Sequence, residues 1–399
     1  MHQSIPHPAA LSSRTLEKQA LKSLLDRKGS QLVAVTGRRR VGKTFLVRNT
    51  IDKRSIFLEI TGKKRASKVD LRDNFLSSYE EKFKPIAKLS RDLSWREIFK
   101  VLSAESKRSK TRDFTLFLDE LPWMAQSDHD FLPALEHIWN NDWSQIAQFK
   151  LIVCGSAASW MNEHIFNNTD GLFGRLTGRL DLLPFTLSQC SEFSASRSLG
   201  LNSQQLLEYY LVLGGVPYYW TLIERDEPAA EFVQRSFFDK SPLLVNEFNL
   251  MLEALFRDSK AYGAIINALG KSRYGLSREE LATVTKVSAG GTLERALNEL
   301  CDCAFVTRYV PFNYAEKGMY FRLTDQFMLF NVVWLAKRDR TGVKSSVAYW
   351  HKQRSTGKYH NWIGSSFEVF CQKHIDAILL ALGISGIEEF HCIYHTLCI

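Results

Sequence analysis

The fold class this sequence predicts is α/β: a doubly wound parallel sheet of five strands, followed by a helical segment and a small module of three helices with a two-stranded wing. Three observations predict it. Strand and helix patterns alternate up to about residue 185, as expected where crossover helices join parallel strands. The first strand, Gln31–Thr36, runs into the glycine-rich residues 37–44 and on into a helix. A later apolar run, residues 114–118, ends in the acids Asp119 and Glu120, and such unbroken runs suit strands covered on both faces.

In order, a helical run covers 16–25, a strand 31–36 and a helix 43–49. A β-branched, aromatic strand at 55–61 and two helical stretches, 71–83 and 94–104, precede the acid-tipped strand. A helix at 131–140, a strand at 150–154 and a last strand at 179–183 complete the sheet. Residues 186–250 read as helices without strands. Further on, Ile265, Ile266 and Leu269 mark a short helix, and Ser277, with Glu280 three residues later, caps a second. A third helix at 292–303 carries Leu293, Ala296, Leu297 and Leu300 on one face and offers Thr292, Glu294, Arg295, Asn298 and Glu299 to solvent. Two strands, 305–310 and 319–323, flank the turn at 313–318 and make the wing of a winged helix. The expected domains are therefore 1–185, 186–255 (a helical lid), 256–336 (the winged helix) and a C-terminal segment, 337–399.

Residues 37–44 read Gly-Arg-Arg-Arg-Val-Gly-Lys-Thr, the G-x-x-x-x-G-K-T pattern of a phosphate-binding P-loop. Gly37 and Gly42 let the backbone turn successive N–H groups toward phosphates, and the following helix adds the positive end of its dipole. Lys43 supplies a mobile charge for the β- and γ-phosphates, and the Thr44 hydroxyl can ligate Mg²⁺. The nucleotide-binding set is Gly37, Arg38, Arg39, Arg40, Val41, Gly42, Lys43, Thr44 and Phe45. The bare pattern also occurs by chance, but here a strand precedes it and a helix follows. Asp119 would hold Mg²⁺ opposite Thr44, and Glu120 would polarise the attacking water. Alone, the two acids would read as an acidic turn closing a strand. Paired with a loop-borne lysine they point to ATP hydrolysis rather than kinase-type transfer.

Composition narrows the setting. The chain has 399 residues, 45% hydrophobic and 24% charged, with 52 basic against 43 acidic residues and a net charge of +9. That excess suits an acidic partner such as DNA, although runs such as Arg38, Arg39, Arg40 and Lys63, Lys64, Arg65, Lys68 are more often a solvated face. Seven cysteines are scattered without a paired framework or a zinc set, which fits free thiols in a reducing cytoplasm. The longest apolar stretch, 327–336, is interrupted by Asn331 and too short to span a bilayer. The expectation is a soluble, cytoplasmic protein without a membrane partner.

Arg175 and Arg179 lie in the glycine-punctuated residues 171–180. An arginine there could reach a γ-phosphate, often a neighbouring copy's, or form a surface salt bridge; Arg175 is preferred because Arg179 enters the next strand. With the loop, Leu-Asp-Glu at 118–120, Cys-Gly-Ser at 154–156, Gly-Gly-Val-Pro-Tyr at 214–218 and Trp-Ile-Gly-Ser-Ser-Phe-Glu at 362–368, the chain resembles archaeal-type P-loop ATPases of the STAND/AAA+ group that carry a winged helix and a C-terminal nuclease-like domain. The resemblance implies an additional strand between phosphate loop and acidic strand. It also implies a γ-phosphate-sensing polar residue at the tip of the next strand, where Ser156 stands and could equally just end the strand. Pro217 is similar to the Gly-x-Pro element of a STAND lid that packs against nucleotide. Glu368 matches one nuclease ligand, but the downstream Asp and Glu-x-Lys are absent and residues 389–399 do not resemble the family's continuation. Nuclease activity is therefore not expected, and Ile378, Leu379 and Leu382 are expected to be exposed.

These readings give ATP and Mg²⁺ as ligands, ATPase activity whose nucleotide state moves the winged helix, and assembly with a second copy as a further expectation. The alternatives are a nucleotide-gated DNA-binding regulator or a protein-interaction switch with little turnover. The two acids on the third helix weaken major-groove binding, since phosphates repel them.

Overall fold

The computed structural model describes residues 12–109, 112–167, 172–256, 258–288, 290–310, 318–336 and 348–384. Two compact units divide the chain, one at Arg14–Leu183 and the other taking in the described residues from Pro184 onward.

The first unit contains α1 (Thr15–Leu25), β1 (Gln31–Thr36), α2 (Lys43–Thr50), β2 (Ile56–Thr61), α3 (Lys68–Phe83), α4 (Trp95–Arg108), β3 (Phe114–Asp119), α5 (Leu121–Ser127), α6 (Phe131–Asn141), β4 (Phe149–Gly155), the short α7 (Ala158–Met161) and β5 (Gly178–Asp181). The strands form one five-stranded sheet in the order β2-β3-β4-β1-β5, paired in parallel. The strand expected along the chain between loop and acids is β2, and it lies on the sheet edge. The strand that separates β1 from β3 in space is β4.

Strand periodicity of two explains the layering. Leu32 and Ala34 of β1, Leu116 and Leu118 of β3, and Leu151 and Val153 of β4 face α3, α4 and α6 in one core, with Trp95, Phe99, Phe131 and Trp143. The alternate residues Val33, Val35, Phe117, Ile152 and Cys154 face α1 and α2 in a second core. Both faces are buried, so these strands read as continuous apolar runs. Ser67 and Ser94 begin α3 and α4 with capping boxes closed by Asp70 and Glu97.

The second unit opens with α8 (Leu187–Ser196), α9 (Ser203–Leu213), α10 (Pro217–Trp220), α11 (Ala229–Val233) and α12 (Glu247–Leu255). Gly215 presses against the segment before α8: its carbonyl accepts the Phe185 N–H at 2.6 Å, and a Cβ there would meet the Phe185 carbonyl oxygen at 1.8 Å. The Tyr210 hydroxyl donates to that same Phe185 carbonyl at 3.1 Å. Next come α13 (Ser259–Leu269), β6 (Leu276–Ser277), α14 (Arg278–Thr285), α15 (Gly291–Asp302), β7 (Val306–Tyr309) and β8 (Tyr320–Leu323), with the three strands antiparallel in the order β6-β8-β7. β6 was not foreseen, being two residues long, and it adds a third strand to the expected pair. Thr292, Glu294, Arg295 and Asn298 of α15 are exposed as expected. Glu299 differs, being half-buried because its carboxylate accepts the Tyr262 hydroxyl. The expected turn at 313–318, Lys317 included, lies outside the described residues except for Gly318, as do Gly171 and residues 389–399.

The chain continues through α16 (Gln326–Trp334), α17 (Tyr349–Gln353), α18 (Gly357–Lys373) and α19 (Ile375–Ala381). The apolar stretch 327–336 is thus largely a buried helix, and among the described residues no helix is long and apolar enough to cross a membrane. Expected boundaries at 255 and 336 fall inside this one unit. α18 is tied into it: the Ser366 hydroxyl, fully buried, donates to the Leu211 carbonyl at 3.0 Å and meets Gln326 Oε1 at 2.5 Å, while Gln326 Nε2 donates to the Ser366 carbonyl at 3.0 Å. Leu382 is 66% exposed as expected, whereas Ile378 and Leu379 are half-buried.

Candidate nucleotide-binding site

The loop between β1 and α2 has the backbone its glycines promise. Gly37 (φ +140°) and Gly42 (φ +95°) lie in the left-handed region, joined by Arg40 (φ +70°), and Gly42 caps α2. Gly37 also lets the chain approach the end of β5, because a Cβ there would meet the Leu182 carbonyl oxygen at 2.3 Å. Val41 anchors the loop in the core with no exposed surface, Arg38 is buried, Arg39 is exposed, and Phe45 is half-buried on α2. Lys43 is buried and folds back over the loop, its Nζ donating to the carbonyls of Gly37 at 2.7 Å and Arg38 at 3.2 Å.

Register brings the second half of the site to the same sheet edge. Val35 pairs with Cys154 and Leu118 with Val153, so Asp119 arrives level with the loop. The Thr44 hydroxyl donates to Asp119 Oδ2 at 2.6 Å. Among the described residues, the other carboxylate oxygen, Oδ1, is buried without a hydrogen-bond partner. A buried acceptor without a donor is costly, and beside a hydroxyl it has the donor chemistry of a hard-cation seat. Magnesium accepts one or two such protein oxygens together with phosphate and water. Thr44 and Asp119 therefore fit Mg²⁺, and among the described residues no group of three or more His, Cys, Asp or Glu forms another metal cluster. Cys154 borders the acids, and burial pushes its thiol well above the ordinary range.

Glu120 follows with φ +57°, a left-handed conformation that turns the chain from strand to α5. Its Oε2 accepts the Ser156 hydroxyl at 2.8 Å and the Ser156 N–H at 3.3 Å. Ser156 is buried one residue beyond the tip of β4. The residue expected at a γ-phosphate is therefore bonded to the residue expected to activate water.

Arg175 is not brought to this edge. Gly178 pairs with Val33 and the Thr177 N–H donates to the Leu32 carbonyl, so Arg175, two residues earlier, lies at the opposite end of the sheet. It is exposed, and its Nε donates to Asn140 Oδ1 at 2.7 Å. Strand direction, which proximity along the chain does not reveal, is the reason. Arg179 grips Asp181 at 2.9 Å, and Asp181 accepts the Thr36 hydroxyl. Pro217 opens α10 in the second unit.

One contributor was missed from sequence. Arg14, 3% exposed, donates to the Val41 carbonyl at 3.1 Å and the Leu183 carbonyl at 2.6 Å, and pairs with Glu17 at 2.6 Å. It braces the phosphate loop from before α1. The Arg-x-x-Glu spacing was the available signal, but nothing local names carbonyls 27 and 169 residues away.

Comparison with known proteins agrees with this geometry. The family described as an ATPase domain predominantly from Archaea matches residues 11–223. The uncharacterized protein MJECL04 of Methanocaldococcus jannaschii is 24% identical over 324 residues, spanning 79% of this chain and 67% of that protein. Among solved structures, the Walker-type ATPase PABY2304 of Pyrococcus abyssi is similar with a TM-score of 0.57 at 20% identity, over 80% of this chain and 95% of that one. The ORC2 protein of Aeropyrum pernix, solved as ADPNP–ADP complexes, gives a TM-score of 0.50 at 14% identity, over 82% and 94% of the two chains. At these identities the structural likeness is one of fold.

Proposed function

Since the chain belongs to the family of ATPase domains found predominantly in Archaea, we propose that it binds ATP with Mg²⁺ at the loop 37–44 and hydrolyses it with Glu120 as the base. The observation that carries this reading is the Thr44–Asp119 hydrogen bond at 2.6 Å beside the buried, unpartnered Asp119 Oδ1. Lys43, now on two loop carbonyls, would exchange them for β- and γ-phosphate oxygens, a charge-assisted and stronger set of bonds. Thr44 and Asp119 would hold Mg²⁺, which when bound neutralises charge developing on the transferred phosphoryl group. Glu120, adjacent to that carboxylate, would take the proton of the attacking water, and Ser156 would set its direction.

The turnover assay separates these roles. Lys43→Ala should abolish ATP binding, measured by retention of labelled nucleotide. Glu120→Gln should retain binding and lose phosphate release. Equal hydrolysis by wild type and the Glu120 variant would refute Glu120 as the base. Arg175, exposed at the other end of the sheet, would serve only a neighbouring copy's site, so its loss should lower turnover only where the chain assembles.

The finer part of the reading is that nucleotide state moves the second unit, whose elements from α13 to β8 follow the order of a winged helix. Pro217 would contribute to the nucleotide from that unit. Exposed Arg308 and Arg295 on β7 and α15, with the net charge of +9, favour DNA as the partner of that module.

A further inference from the structure

A second chemical feature lies wholly inside the second unit. Between α13, β8, α16 and α18 is a cavity of about 490 Å³, within the roughly 300–1,000 Å³ typical of small-molecule sites. Lys271, Arg273, Arg322 and Lys358 line it, and so do the apolar Leu323 and Trp362. Four cations line one recess, and Glu368 bridges two of them: Oε1 meets Arg322 at 3.0 Å and Oε2 meets Arg273 at 3.4 Å.

The wall is built rather than incidental. Arg322 is 3% exposed and is fixed by Gln372 Oε1 at 2.8 Å as well as by Glu368. A guanidinium held in that way presents its remaining donors in a set direction. The Lys358 ammonium rests over the Trp334 ring at 4.1 Å. Trp362, also 3% exposed, has a buried indole N–H that finds no hydrogen-bond acceptor among the described residues. Buried donors are nearly always satisfied, so this one marks a place for an acceptor. Glu368, which the sequence suggested as a metal ligand, is instead occupied by arginines.

We propose that this cavity binds a small organic phosphate, with the phosphate ester among the cations and a flat or apolar body against Trp362 and Leu323. A phosphate monoester carries close to two negative charges and three acceptor oxygens, which suits a recess lined by several cationic donors. The same chemistry is offered by a free phosphate ester and by the phosphorylated end of a nucleic-acid strand. The inference does not rest on nucleotide binding at residues 37–44.

Pyridoxal 5′-phosphate is a suitable probe, since its aldehyde condenses with a lysine amine, losing water to form an imine, which added borohydride reduces to a stable secondary amine. The full chain is labelled without added nucleotide and mapped by peptide mass, with Lys43→Ala protein labelled in parallel. Lys271 and Lys358 should be labelled about tenfold faster than other exposed lysines, a difference worth about 1.4 kcal/mol. Pyridoxal without the phosphate should show no such preference, and Arg273→Gln, at an exposed position, should slow Lys358 labelling severalfold with an unchanged melting temperature. Protection by 5′-AMP but not by a 5′-phosphorylated hexanucleotide identifies a free phosphate ester as the occupant; the reverse identifies a strand end. Labelling no faster than elsewhere, equal preference by pyridoxal, or protection by neither competitor overturns the proposal. If selective labelling persists while Lys43→Ala retains ATP turnover, the nucleotide assignment fails and this one stands.

Discussion

Ser156 and Glu120 form the hydrogen-bonded pair on which the proposed hydrolysis would turn. A carboxylate that accepts both a hydroxyl and an amide from one neighbour is held in a single orientation, and orientation governs how well it meets a water proton. Ser156→Ala should therefore lower kcat by about tenfold to a hundredfold, a part of the roughly 10²–10⁴-fold that a positioned general base contributes, while leaving the KM for ATP unchanged. An unaltered kcat would reduce Ser156 to a strand-ending residue. Residues of this kind were legible in the sequence to unequal degrees. That Lys43, Thr44, Asp119 and Glu120 gather at one sheet edge could be read because anion and metal chemistry fix residue type and spacing together. Arg14 could not, because its partners are backbone carbonyls with no sequence identity. The position of Arg175 was not legible, because chain proximity to glycines says nothing about which end of a strand a residue occupies.

Elements with a strong local cause were legible for the same reason. Strands buried on two faces must be apolar throughout, and α3 and α4 announce themselves by Ser-x-x-acid boxes. β6 escaped because two residues carry no period. α5 escaped because it begins with the turn at Glu120 followed by Pro122 at its start. The loop following α5 is fixed by Asp128, which accepts the Trp95 indole N–H at 2.9 Å and Arg72 at 3.1 Å. Burial pushes the Asp128 carboxyl up, but Trp95, the Asp130 amide and Arg72 together hold it below its ordinary value. A carboxylate depressed in this way stabilises the fold above its unfolded pKa, and that contribution is lost as pH falls through the folded value. Asp128→Asn should cost about 1–3 kcal/mol near neutral pH, as for hydrogen bonds to charged groups. In urea unfolding, the gap between wild type and variant should close as pH is lowered from about 5 to about 3, since an unfolded Asp titrates near 4. A gap independent of pH would mean that the charge plays no part.

At the scale of the molecule, the division at residues 183–184 separates the phosphate loop from the module that carries Arg295 and Arg308. If that module docks on DNA, retention on duplex should fall steeply with salt, and neutralising Arg308 and Lys317 should flatten the log–log slope by about one per lost phosphate contact. Retention indifferent to salt would favour a protein partner. The sequence foretold the alternation of strands and helices up to about residue 185. It did not foretell that α18 belongs to the same body as α9 and α16, because that union depends on Ser366 reaching the carbonyl of Leu211, 155 residues away. The chain between the units is more tightly specified than its length suggests. Leu183 is clasped through its carbonyl by Arg14, and Phe185 is clasped at both its amide and its carbonyl by Gly215 and Tyr210. Only Pro184 stands between the two clasps, and its ring locks φ. The backbone at 183–185 is thus fixed locally by a guanidinium, a carbonyl and a phenol, and it is ordered structure rather than loose thread.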